Sequence, residues 1–89
     1  MDEKQIKPIT KIKTGKLSTV IDIKGDETII NQLESMGIRP GVILKKVSAS
    51  FFRGPIILEK DFMQIALGYN MATQIFVKVL DEQGNGAKV

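Results

Sequence analysis

Eighty-nine residues, 43% hydrophobic and 26% charged, suffice for one small domain with a modest core and leave no room for a second. Without cysteine or histidine the chain has no disulfide, no thiolate or imidazole metal site and no Cys–His or Ser–His nucleophile pair, so a non-enzymatic protein is expected. The formal net charge of +3 resides in the first 24 residues, where six lysines face three carboxylates; the remaining residues are balanced. No apolar run approaches the roughly 20 residues that cross a bilayer. The start Met1-Asp2-Glu3-Lys4-Gln5 lacks the basic and apolar regions of an export signal, so a cytoplasmic location without membrane insertion is expected.

Residues 1–7 are polar and aperiodic and are expected to be flexible, with the folded domain over residues 8–80. From Lys16 to Ile23, alternation places Leu17, Thr19, Ile21 and Ile23 on one face of a half-buried strand. Gly25-Asp26 turns the chain and offers Asp26 as a helix cap. Ile29, Leu33 and Met36, with Ile30, then form an apolar stripe. Gly37 sits where a left-handed stop belongs, with Ile38 positioned to touch Leu33. Arg39-Pro40-Gly41 reads as a type II turn into a strand over Val42 to Val47.

A loop from Ser48 to Pro55 carries two adjacent aromatics. Strands follow at Ile56 to Glu59 and Phe62 to Leu67, joined by a turn at Lys60-Asp61. Gly68 to Thr73 has a helical-turn flavour, and Gln74 to Leu80 is the last strand, with Ile75, Val77 and Val79 on one face. Residues 81–89 are nearly devoid of apolar side chains and are expected to form a mobile tail. About five short strands and one helix after the first long strand are the parts of a small, strongly bent antiparallel barrel.

Candidate site residues are few. The close carboxylates Asp26-Glu27, Glu59 with Asp61, and Asp81-Glu82 have neither calcium-loop nor metal-triad spacing and read as a cap, a turn and a tail, so no metal ligand is assigned. Met36, Met63 and Met71 fall at apolar-pattern positions and read as core filling. Lys11, Lys13 and Lys16 read as a solvated face. The cluster suited to binding is Phe51, Phe52 and Arg53, preceded by Lys45 and Lys46, because aromatic and arginine side chains anchor interfaces. A stacking ring beside cations would also suit single-stranded nucleic acid, the alternative reading.

The ordered set Pro8-Ile9-Thr10 to Gly15, Val20 to Asp26, Leu33-Glu34-Ser35-Met36-Gly37-Ile38-Arg39-Pro40-Gly41, Gly54-Pro55-Ile56, Ile65-Ala66-Leu67-Gly68, Ala72 and Ile75-Phe76-Val77 resembles the FeoA family over about residues 8 to 80. The resemblance implies an SH3-like barrel with a helix inserted after the first strand. It also implies a cytosolic accessory protein of bacterial ferrous iron uptake that regulates or assembles with the membrane GTPase permease FeoB, and is peripheral at the inner membrane through that partner. Transition-metal association is implied by the family alone, and no catalytic set or required cofactor comes with it. The same domain closes iron- and manganese-dependent repressors. The sequence begins with its own Met1 and shows no helix-turn-helix, so a free-standing adaptor is the expectation, with nucleic acid disfavoured. Open strand edges could also pair copies of the chain.

Overall fold

The computed structural model describes residues 5–80. It holds strands β1 (Ile6–Pro8), β2 (Leu17–Ile23), β3 (Ile43–Ala49), β4 (Ile56–Lys60), β5 (Met63–Leu67) and β6 (Ile75–Val79), with helices α1 (Glu27–Ser35) and α2 (Tyr69–Ala72). All six strands form one antiparallel sheet in the order β1-β6-β2-β3-β4-β5. The sheet curls into an SH3-like half-barrel without pairing β1 to β5. β1 adds a sixth strand to the five expected, and Ile6 and Lys7, expected in a flexible lead, pair with Lys78 and Val77. Three residues are too few for alternation to register. The expected tail over residues 81–89 lies outside the described residues.

α1 follows from its caps. The Asp26 carboxylate accepts from the Ile29 N–H at 3.0 Å, satisfying a first-turn donor with charge of the favourable sign. At the other end Gly37 adopts φ +83°, Ile38 N–H donates to Leu33 C=O and Gly37 N–H to Glu34 C=O, which closes the last turn. Nine residues do not hold a helix in water unaided. Leu33 is fully buried, and Ile29 and Ile30 pack beside it. Gly41, at φ +97°, completes the turn whose Val42 N–H donates to Arg39 C=O.

The concave face of the sheet carries Val20, Leu44, Ile56, Leu58, Ile75 and Val77, closed over by Leu33, Ile38, Ile9 and Ile12. β2 departs from simple alternation. Its pairing with β6 passes from Val20↔Val77 to Asp22↔Phe76, leaving Ile21 as an extra residue. Ahead of that bulge Ser18 and Val20 point inward, while Leu17 and Ile21 are exposed; past it Ile23 returns to the core. The face expected from Leu17, Thr19, Ile21 and Ile23 is therefore split. The Asp22 carboxylate accepts from the Ile23 N–H at 2.9 Å and supports the distortion.

Candidate functional site

β3 alternates strictly at its start, so Leu44 and Lys46 face the core while Ile43 and Lys45 face outward. Lys46 is 4% exposed. Its ammonium donates to Ile12 C=O at 2.7 Å and Thr10 C=O at 3.0 Å, tying the segment between β1 and β2 to the sheet. Desolvation lowers the Lys46 pKa from its ordinary value. Lys46 is thus a structural tie inside the fold, and Lys45 alone of the expected lysine pair reaches the surface.

The loop between β3 and β4 turns at Phe51–Arg53. Phe52 and Arg53 both take left-handed backbone angles, φ 58° and 60°, and Phe52 is 99% exposed. Such angles are costly for bulky residues. The Arg53 guanidinium lies 5.7 Å from the centroid of the Tyr69 ring, a cation–π distance. The side chain of Phe51 lies outside the described part of the structure.

A second apolar surface lies at the other end of β4. Lys60 pairs with Met63 across a two-residue turn, Asp61 (φ 52°) and Phe62 (φ 68°), the type I′ hairpin geometry that favours Asn-Gly. Phe62, expected inside a strand, sits at the turn's second position and is 96% exposed. Beside it lies a shallow depression of about 290 Å³ lined by Leu17, Ile43, Lys45, Glu59, Asp61 and Phe62. The ladder registers Leu17↔Lys45 and Lys45↔Glu59 bring these side chains into one outward row, and Ile43 is 51% exposed beside it. The five residues of β4 span roughly 17 Å, so Phe52 and Phe62 serve different surfaces.

Of the expected site residues, then, Phe52 and Arg53 stand together at one end, Lys45 joins the depression at the other, and Lys46 is interior. Leu17, Ile43 and Phe62 were not anticipated. Only Phe62 left a sequence signal, a large aromatic next to the Lys60-Asp61 turn where a small residue belongs. Met36 and Met63, expected in the core, are exposed, while Met71 packs partly against it. Among the described residues no three carboxylates converge into a metal-binding group, and no helix is long and apolar enough to cross a membrane.

A family model for the FeoA domain matches residues 7–79. The chain belongs to the FeoA domain family. A crystal structure of an iron uptake regulatory protein, FeoA, is 27% identical and superposes with a TM-score of 0.76, over 84% of this chain and 97% of that one. A manganese-dependent transcriptional repressor is 25% identical with a TM-score of 0.78 over 84% of this chain, which spans only 42% of the repressor. A FeoA-like protein from Clostridium acetobutylicum, 22% identical with a TM-score of 0.77 over 88% of this chain and 91% of its own, shares the fold. No curated protein matches the chain. FeoA domains form a non-catalytic accessory family, and membership supports a role in ferrous iron transport.

Proposed function

We propose that this FeoA-domain protein is a non-enzymatic accessory factor of ferrous iron uptake that docks on the cytosolic GTPase domain of a FeoB-type permease. Iron is the cargo of that system, and the reading requires no metal or cofactor bound to this chain. The family match over residues 7–79 carries the reading. The docking face assigned is the depression beside Phe62, where Leu17 and Ile43 offer apolar area and Lys45, Glu59 and Asp61 supply mixed charge at the margin. A concave apolar site with a polar border suits an anchor side chain from a protein partner. Phe52 and Arg53 give an exposed second contact at the far end of β4.

The test is capture of the purified soluble GTPase domain at low and at near-physiological salt, with random RNA as competitor. Docking through apolar anchors persists as salt rises and RNA does not compete, whereas phosphate binding falls steeply. Ile43→Glu is expected to abolish capture while leaving the fold intact, because Ile43 faces solvent. Phe52→Ala is expected to weaken it only modestly. Absence of capture at both salts, or capture that RNA abolishes, overturns the reading. Loss with Phe52→Ala but not with Ile43→Glu moves the docking face to the loop.

A further inference from the structure

The two edges of the open sheet are guarded unequally. β1 is three residues long and carries Lys7 and Pro8, features that block pairing with another strand. β5 carries no such guard. Its sequence Met63-Gln64-Ile65-Ala66-Leu67 holds no charge and no proline, and its five pairings with β4 run from Ile56↔Leu67 to Lys60↔Met63 without a bulge. Among the described residues no backbone hydrogen bond is made on its other side. Met63 continues the core-facing row of Leu67 and Ile65, yet it is 66% exposed.

We propose that β5 is the two-fold seam of a dimer, pairing antiparallel with β5 of a second copy about Ile65. That register sets Met63 opposite Leu67, Gln64 opposite Ala66 and Ile65 opposite its own equivalent. Because side chains alternate across a strand, the apolar row of each copy then meets the apolar row of the other, with no like charges opposed. Continued by one residue, the register brings Phe62 opposite Gly68, where open space surrounds the position a Cβ would take. The largest exposed ring near this edge thus meets the residue with no side chain, twice per dimer, as an isologous contact requires. An added strand would also cover Met63. The paired edge of β5 lies apart from the docking face on the outer sides of β2, β3 and β4, and Phe62 borders both.

Five residues a side bury less than a standard interface of about 1,200–2,000 Å², so a weak dimer with Kd of about 10–100 µM is expected. Sedimentation equilibrium of the whole protein from micromolar to about 1 mM reads it directly. The double variant Gln64→Lys with Ala66→Lys opposes lysine to lysine at both exposed pairs and is expected to weaken the dimer at least about tenfold without altering the monomer's circular dichroism. Mixing it with Gln64→Glu plus Ala66→Glu is expected to restore association as a heterodimer. Since the chain has no cysteine, an equimolar mixture of Gln64→Cys and Ala66→Cys should crosslink faster than either alone. A protein monomeric to about 1 mM, a dimer indifferent to the lysine pair, or equal crosslinking in all three samples overturns the proposal. So does a monomer whose GTPase-domain capture is lost in the lysine variant, which would assign this edge to the permease.

Discussion

The ammonium of Lys46 reaches from the concave face of β3 to the carbonyl oxygen of Ile12, 2.7 Å away, and so ties the chain before β2 to the middle of the sheet. Ile9 and Ile12 flank that tie as buried side chains, so the lysine secures the segment that closes one side of the core. A buried ammonium is tolerated because carbonyl oxygens replace part of its hydration shell, but desolvation still lowers its pKa.

Lys46→Met should therefore cost about 1–3 kcal/mol, since the Thr10 and Ile12 carbonyls lose their donor. The pH dependence has a definite sign. Between the lowered folded pKa and the ordinary value of 10.5 the unfolded chain binds more protons than the folded one, so stability from this group rises with pH. Urea unfolding at pH 7 and near pH 10 should show the gap between wild type and Lys46→Met widening at the higher pH. A narrowing gap would mean that the folded-state pKa is not lowered.

Gly37 and Gly41 share a left-handed backbone but differ in their surroundings. A Cβ at Gly37 would meet Lys60 Cε and Nζ at 3.2 Å, whereas Gly41 has nothing within 4 Å. Both alanine variants should lose about 1 kcal/mol from backbone strain. Gly37→Ala should lose more, because Lys60 must shift. Equal melting temperatures for the two variants would show that the lysine moves without cost.

Phe62→Gly should stabilise the fold by about 1 kcal/mol, because the second position of a type I′ turn favours glycine and Phe62 buries almost nothing in return. The same change should weaken both GTPase-domain capture and self-association. A gain in melting temperature with loss of binding is the signature of a residue kept for contact and not for folding.

Leu58→Ala should cost about 2–5 kcal/mol, since the side chain is fully buried among Leu44, Ile56 and Val77, whereas Ile43→Ala, one strand away but facing outward, should stay within about 1 kcal/mol. Chemical denaturation of the two variants measures the contrast. Similar losses would contradict the inward and outward assignment of β3 and β4.

How much was legible depended on whether a feature was local. The Asp26 cap, the Gly37 stop and the Pro40-Gly41 turn were readable because each needs a particular residue type at one backbone angle or one orphan donor. β4 and β6 were readable because Ile56 with Leu58 and Ile75 with Val77 keep the period of two. The face of β2 was not, since a bulge at Ile21 resets the alternation and Ser18, a polar residue, lies inside. Of the expected site residues, Phe52 and Arg53 were picked out by composition and lie at the surface, but Lys46 appeared equivalent to Lys45 until the partner carbonyls from residues 10 and 12 were in place.

The amino-acid order alone determined the mainly β character, the helix boundaries and the family, all of which rest on short-range backbone chemistry and an ordered set of motifs. Tertiary structure decided which lysine is buried, that Leu17, Ile43 and Phe62 share one surface, and that β5 is the unguarded edge. Those facts depend on sheet order and register, which bring together residues as far apart as Leu17 and Phe62 through hydrogen-bond ladders between strands remote in sequence.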